Sequence, residues 1–296
     1  MFDLRYHVAS LAAVFLALII GILVGVGITR GGFVSKAERK VLNDRISEAQ
    51  SQRDSARQRA NELEQEQRAT RDYVNATYPA LVADRLKTKK IVLVSVGPMD
   101  SDVRASVQQA LRDAGAPSPV RVRAIKVPVD DKALDAALDG RPAFAQYLGG
   151  DQLPDLGRAL AQELVRGGRT PLWDSLSSQL VEERLGGGRP MADGVVVARS
   201  VKPQQDGTAR FLDGFYSGLA AAGAPAVGVE TSPASPSAIP AFGRAALSTV
   251  DSVNTPSGKL ALVLLLAGAQ PGHYGVRKTA TDGILPLVPP PAPAGG

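Results

Sequence analysis

The sequence predicts a mixed α/β fold with a single N-terminal transmembrane helix, a helical coiled-coil-like stalk and a mostly parallel three-layer α/β head. Three observations lead to this prediction: an uncharged run near the start, a charged stretch without Gly or Pro, and alternating strand-like and helix-like segments from residue 89 onward. We therefore divide the chain into a membrane anchor (1–30), a helical stalk (31–86), an α/β head (87–283) and a Pro-rich tail predicted to be disordered (284–296).

Composition narrows the classes of function. The 296-residue chain has a net charge of +5 and 5% aromatic residues, without a basic stripe that interleaves aromatics, so we expect no nucleic-acid partner. It has no cysteine, which excludes disulfides, thiolate metal sites and cysteine nucleophiles. The mild positive charge is compatible with contact to membrane lipid.

Val8 to Ile28 is the predicted transmembrane helix. These 21 residues carry no charge, and a helix of that length rises about 31 Å, which matches the hydrocarbon core of a bilayer. The alternatives are a cleaved signal peptide and a buried core helix. A signal peptide has a shorter apolar region and a small-residue cleavage site, for which Gly25-Val26-Gly27 is a poor match. A core helix seldom lacks a polar face over this length, so the anchor is preferred.

Small residues recur at every fourth position of this helix, at Ala9, Ala13, Ala17, Gly21 and Gly25. They lie on one face, and the last two form a GxxxG motif. In lipid, small side chains let two helix backbones approach closely, so that van der Waals contacts drive association. We predict that this face packs against a second copy in a homodimer or higher oligomer. The alternative is chance in a chain rich in Ala and Gly.

The charges that flank the predicted span favour one orientation. Arg5 precedes the span, whereas a cluster of basic residues follows it: Arg30, Lys36, Arg39, Lys40 and Arg45. The interspersed acidic residues count little in the positive-inside rule. By that rule, this asymmetry keeps the head in the cytoplasm.

Residues 35–72 predict a long polar helix, because nine Lys or Arg and eight Asp or Glu occur there without Gly or Pro. A heptad frame fits in part, and polar seam residues such as Arg39 and Arg53 weaken it. A weak parallel coiled coil and a single solvated helix are the two interpretations, and Tyr78-Pro79 is predicted to end or kink the helix. The apolar seam positions are Leu42, Ala49, Ala56 and Leu63 at d, and Ile46, Ala60, Val74 and Leu81 at a.

The head begins with a buried-strand run at residues 91–96, which ends at Gly97-Pro98. Asp100 or Ser101 is predicted to cap the helix that follows. Strands and helices then alternate, which favours a largely parallel sheet with helices on both sides. The further predicted elements are helices over 102–114, 153–165, 172–185, 208–222 and 259–267, a short helix ending at 138, and strands over 120–127, 195–198, 226–230 and 246–253, the last of these being the final strand.

No motif in the head specifies catalysis, so we predict no enzymatic activity, no catalytic residue and no evident cofactor. The turn Gly97-Pro98-Met99-Asp100-Ser101 follows the first strand, where α/β folds often bind ligands, but it matches neither the dinucleotide motif nor the P-loop. Asp100 and Asp102 suit a metal ion or, more simply, a helix cap. Gly186 to Arg189 suits an anion or a plain loop, and His273 suits a surface turn.

Two blocks of sequence resemble the actinobacterial copper transport protein B (MctB) family. The first runs from Phe2-Asp3-Leu4-Arg5-Tyr6-His7 through the apolar segment to Gly25. The second runs from Val250-Asp251-Ser252-Val253-Asn254-Thr255 to Gly258-Lys259-Leu260, with Tyr274-Gly275 after it. The resemblance implies a cell-envelope protein whose head lies outside the cytoplasm. This is opposite to the positive-inside expectation, but large domains translocate despite flanking charge.

The resemblance also implies a role in copper transport, efflux or homeostasis, and copper is implied by it alone. Copper(I) prefers Cys and Met ligands, and imidazole suits copper generally. The Met and His residues form no cluster in the sequence, and Met1, Asp3 and His7 converge only in an oligomer. The candidate soft or imidazole ligands are Met1, Met99, Met191, His7 and His273.

Three functional hypotheses are consistent with these observations. The first, from the family, is copper transport or homeostasis at the envelope. The second, which the residues alone favour, is a non-enzymatic dimeric scaffold or regulator that acts on envelope proteins through its stalk and head. The third is a small-molecule-binding or enzymatic head, which requires a polar pocket at the carboxyl ends of the strands near residues 97–101. We adopt the first and keep the second as the alternative.

Overall fold

The computed structural model describes residues 4–30, 36–186, 190–232 and 234–287. The chain divides into two compact units, Met1–Ala69 and Thr70–Gly296. The first unit contains the apolar helix and most of the stalk, and the second contains the end of the stalk and the head. The predicted Pro-rich tail lies outside the described residues from residue 288 onward, and the four-part division of the chain stays a prediction.

Helix α1 (Leu4–Arg30) contains the predicted anchor. Its segment His7–Val26 has a mean hydropathy of 2.8 and is long enough to cross a membrane. None of that segment is buried, and the side chains of Leu11 and Phe15 are 65% and 57% exposed. Because exposed apolar surface in water costs about 25 cal/mol per Å², this helix fits a membrane location.

Helix α2 (Lys36–Val82) is the 47-residue helix of the stalk. The sequence predicts that Tyr78-Pro79 ends or kinks this helix; an end at this point is wrong, because α2 continues to Val82, and the kink stays a prediction. Tertiary contacts hold the last turn and compensate for the donor that proline lacks: the Tyr78 hydroxyl donates to Asp113 Oδ2 at 2.9 Å, and Val82 is fully buried in the head. The coiled coil itself stays a prediction.

The head is built on one seven-stranded sheet with the order β3-β2-β1-β4-β5-β6-β7. Neighbouring strands are parallel except for β3, which pairs antiparallel with β2 at one edge. The mixed α/β fold with a mostly parallel sheet is therefore confirmed. The strands are β1 (Ile91–Val96), β2 (Arg121–Ile125), β3 (Val181–Leu185), β4 (Gly194–Arg199), β5 (Ala226–Val229), β6 (Ser248–Val250) and β7 (His273–Tyr274).

Seven α-helices connect the strands within the described part of the head. Two short 3₁₀ segments, Pro142–Tyr147 and Gly150–Gln152, precede the helix that begins at Leu153. The helices are α3 (Ser101–Asp113), α4 (Asp131–Leu138), α5 (Leu153–Arg166), α6 (Pro171–Leu180), α7 (Asp206–Ala220), α8 (Ile239–Arg244) and α9 (Pro256–Leu266).

Alternate residues of β1 belong to two hydrophobic clusters. Val92, Val94 and Val96 share a cluster with residues of α4 to α8. Ile91 and Leu93 share the other cluster with residues of α3, α9 and the end of α2. Successive side chains of a strand point to opposite sides, so β1 contributes apolar surface to both clusters. The three-layer arrangement of the head stays a prediction.

Two predicted boundaries are wrong. The helix predicted over 172–185 ends at Leu180, and Val181–Leu185 forms the antiparallel edge strand instead. The strand predicted over 246–253 is limited to Ser248–Val250, and β7 follows it as a further strand. In both regions, the residues that form a strand are those that pair with a neighbouring strand. Val181 pairs with Ile125 of β2, and His273 pairs with Thr249 of β6.

Candidate functional site

The carboxyl ends of the parallel strands form one edge of the sheet. Two buried acidic residues, Glu230 and Asp251, follow directly after β5 and β6 at this edge. The chain proceeds from β1 to β2 on one side, whereas β4 lies on the other side of β1. In open α/β sheets, such a switch point leaves a crevice outside the carboxyl ends of the strands, where ligands bind.

The turn after β1 is shaped by a close contact and a helix cap. Gly97 has a φ of +84°, and a Cβ at this position would collide with the side chain of Val201. The Asp100 carboxylate accepts from the backbone N–H groups of Asp102 and Val103, each at 3.0 Å, and so caps α3. Within the described ranges, no group of three or more His, Cys, Asp or Glu side chains is placed to hold a metal ion. The helix cap that the sequence predicts at Asp100 is confirmed by the two hydrogen bonds to its carboxylate.

A cavity of about 410 Å³ lies at this edge. The turn after β1 contributes Asp100, the end of β4 and its following loop contribute Arg199 and Lys202, and the loop after β5 begins with Glu230. The polar pocket that a small-molecule site requires near residues 97–101 is thus present. Three hydroxyl-bearing residues also line it: Ser200, Thr231 and Ser235.

Arg199 is the more buried of the two cations that line this cavity, since Lys202 is exposed. Its Nη2 donates to the backbone carbonyl of Ser237 at 2.9 Å, and its Nε is buried without a hydrogen-bond partner in the described part of the chain. Burial lowers the pKa of Arg199, because desolvation disfavours the charged guanidinium, while the nearby Tyr216 and Glu230 act against this shift.

Glu230 is 4% exposed and is neutralised from several directions. Its carboxylate accepts from Arg277 Nη1 at 2.8 Å, from the Ser237 hydroxyl at 2.9 Å and from the Ala238 backbone N–H at 2.7 Å. Arg277 also donates to the carbonyl of Ala234 at 3.0 Å. A buried charge is costly unless it is paired and hydrogen-bonded, and these contacts meet that requirement.

Asp251 is 1% exposed and holds the segment that follows β7. It accepts from the backbone N–H groups of Val276 at 3.0 Å and Arg277 at 3.1 Å, and from the Thr279 hydroxyl at 2.8 Å. Gly275 has a φ of +147°, and a Cβ there would overlap the Asp251 carboxylate. Asp251 and Gly275 therefore lie in contact. Both belong to the sequence blocks that carry the family resemblance.

The remaining residues of this block stabilise neighbouring loops. Asn254 Oδ1 accepts from the backbone N–H of Ser232 at 2.9 Å, and Asn254 Nδ2 donates to the Ser232 carbonyl at 3.2 Å. The Thr255 hydroxyl accepts from the Gly258 backbone N–H at 3.0 Å and caps α9. The block thus has a structural role at the carboxyl edge of the sheet.

The candidate copper ligands of the head lie on different elements. Met99 follows β1 and packs against the cluster of α3 and α9, whereas Met191 precedes β4 and is 61% exposed. His273 lies in β7, where its Nδ1 is 2.9 Å from the Thr249 hydroxyl, so the predicted surface turn is wrong. Met1 and Asp3 lie outside the described residues, as does most of the predicted glycine loop, at 187–189.

The small residues of the predicted membrane-helix face all lie within α1 and are exposed. A Cβ built on Gly21 would meet no atom within 4 Å. A second helix therefore has room to approach this face, and the association stays a prediction. The residues of the face are Ala9, Ala13, Ala17, Gly21 and Gly25.

The fold defines a class of protein with an apolar N-terminal helix long enough to cross a membrane and an α/β head whose buried acidic groups lie at the carboxyl edge of its sheet. Residues 1–285 match the family described as copper transport outer membrane protein, MctB, and the chain belongs to this family. The resemblance inferred from the two sequence blocks is thereby confirmed. No individual curated protein matches the chain.

We expect Asp251→Asn to destabilise the head by about 1.5–3 kcal/mol, because the amide cannot accept all the hydrogen bonds that the buried carboxylate accepts. Denaturant unfolding of the full chain in detergent measures this change. Trp173, the single tryptophan and 1% exposed, provides a fluorescence signal from the head.

The matched control is Asp155→Asn, which makes the same change in an exposed ion pair with Arg158. We expect this control to change stability by less than about 0.5 kcal/mol. Equal effects of the two substitutions would contradict the role assigned to Asp251.

Proposed function

We propose that the protein takes part in copper transport or copper homeostasis at the cell envelope, as a membrane-anchored and non-enzymatic component. Membership of the MctB family over residues 1–285 is the observation that carries this proposal. Copper is the cargo of the process here and not a resident cofactor of the chain.

The chemistry of the described residues favours an indirect role in copper handling. Copper(I) binds Cys and Met best, yet the chain has no Cys, and Met99 and Met191 lie on separate elements. The buried carboxylates at the carboxyl edge already accept hydrogen bonds from internal donors. We therefore propose that this chain organises a transport assembly and that its head does not itself coordinate the copper ion.

Deletion of the gene is expected to raise the copper content of the cell and to lower the copper concentration that stops growth. Expression of the full chain should restore both, and tolerance to zinc serves as the control for general envelope damage. Atomic absorption and growth curves measure these quantities. Normal copper content together with normal copper tolerance in the deletion strain would reject the proposal.

The second candidate function is a dimeric scaffold or regulator that recruits an envelope protein. Its support is the exposed seam of α2, where Leu42, Ile46 and Leu63 are 57%, 48% and 57% exposed in the single chain. Pairing of two stalks in a parallel coiled coil would bury this seam, and the small-residue face of α1 would continue the contact in lipid. In this proposal, the three-layer head is the part that presents a surface to the partner.

We predict that Ala49→Cys, at a d position of the seam, forms a disulfide-linked dimer under mild oxidation. Because the chain has no native cysteine, the introduced thiol has no competitor. Ser51→Cys, two residues away at an outward f position, is the matched control and should stay monomeric on a non-reducing gel. Equal crosslinking at the two positions would exclude a parallel in-register coiled coil.

We also propose that the head lies outside the cytoplasm, as an envelope function requires. Ser178→Cys places a thiol at an exposed position of the head. We expect a membrane-impermeant maleimide to label it in intact spheroplasts, to the same extent as after lysis. Labelling that occurs only after lysis would place the head in the cytoplasm, as the flanking basic residues favour.

A further inference from the structure

We propose that the cavity between the loops after β1, β4 and β5 binds a small organic anion through a carboxylate or phosphate group. This inference goes beyond the copper and scaffold functions and depends on neither of them. The cavity volume of about 410 Å³ lies within the range of small-molecule sites. Its position at the switch point of the sheet is the one where open α/β folds bind ligands.

The charges that line this cavity are unevenly compensated. Both carboxylates are engaged internally: Asp100 caps α3, and Glu230 accepts from Arg277, Ser237 and the backbone. Neither cation, Arg199 or Lys202, forms an ion pair with a carboxylate in the part of the chain that the structure describes. Arg277 offsets the charge of Glu230. The lining therefore holds the two positive charges of Arg199 and Lys202 against the one negative charge of Asp100, and this excess favours a negatively charged ligand.

Arg199 supplies the specific recognition element. Its side chain lines the cavity, and its guanidinium is partly desolvated. A carboxylate or phosphate in the cavity pairs with this guanidinium and restores the stabilisation that it lost on leaving water. A bound cation would instead meet this excess of positive charge, so cations are disfavoured here.

Hydroxyl-bearing residues line the same cavity and can complete the binding of an anion. Ser200, Thr231 and Ser235 come from two of the loops that line the cavity. Hydroxyl donors orient an oxyanion without adding charge, and they also serve other polar groups of an organic molecule. Arg199 and Lys202 would then fix the anionic group, while the hydroxyls contact the rest of the ligand.

The test uses the full chain in a phosphate-free maltoside detergent, with inorganic phosphate and succinate as the two probes in equilibrium dialysis. We expect one equivalent of at least one probe to bind saturably, and the probe that binds better distinguishes phosphate from carboxylate recognition. We expect Arg199→Gln to weaken binding about tenfold and Lys202→Gln, at an exposed position, about threefold.

Lys87→Gln is the matched control, because it removes an exposed lysine that precedes β1, at the opposite end of the strand. It should leave binding unchanged, and Trp173 fluorescence should show that all variants remain folded. The proposal is overturned if neither probe binds saturably at millimolar concentration, or if Lys87→Gln weakens binding as much as Lys202→Gln does. A deletion strain with normal copper content and tolerance would reject the copper proposal but not this one, because the dialysis measures binding to the isolated chain.

Discussion

Burial of the central strands on both sides is the constraint on which the rest of the head depends. All six residues of β1 are buried, and so are the first five of β4. Their side chains are apolar except for Ser95 near the end of β1, whose hydroxyl donates to the Pro98 carbonyl at 3.3 Å. A polar group in the middle of these strands would lose its hydration without gaining a partner. Charged residues therefore lie at the ends of these strands and in the loops that follow. There, backbone groups and loop side chains form hydrogen bonds with them.

Arg277 shows how one residue can organise this edge. Its side chain neutralises Glu230, and its backbone N–H contributes to the hydrogen bonds that Asp251 accepts. Two buried carboxylates after neighbouring strands thereby share Arg277 as a partner, in addition to the other donors that each of them has. Removing one partner of such an arrangement leaves a buried charge uncompensated, which is more costly than the loss of a surface ion pair.

Periodicity and composition were sufficient to predict the apolar helix, the long polar helix, and most strands and helices of the head. These features depend on local patterns, such as the unbroken apolar run of β1 and the aspartate that caps α3. The errors fall where a distant segment decides the structure. Residues 181–185 form a strand because β2 offers an edge, and the last turn of α2 persists beyond Pro79 because Asp113 and the head hold it.

The candidate site was predictable in position but not in its residues. The switch point follows from the order of strands and helices, and the turn after β1 was identified from the sequence. Arg199, Glu230 and Arg277 were missed, because no local motif marks side chains that meet across 47 residues of chain, as Glu230 and Arg277 do. The Asp251 block was recognised as a family feature, but its contacts with the segment after β7 required the structure.

The order of the strands along the chain has a consequence for how the head is made. The short strand β7 and Arg277 are synthesised after every other strand of the sheet, yet they close its edge beside β6. Until they leave the ribosome, Glu230 lacks its ion-pair partner Arg277, Asp251 lacks its donors at residues 276–279, and the edge of β6 stays open. The head therefore reaches its native state late, and a nascent chain that stalls before residue 273 presents an unpaired strand to chaperones and proteases.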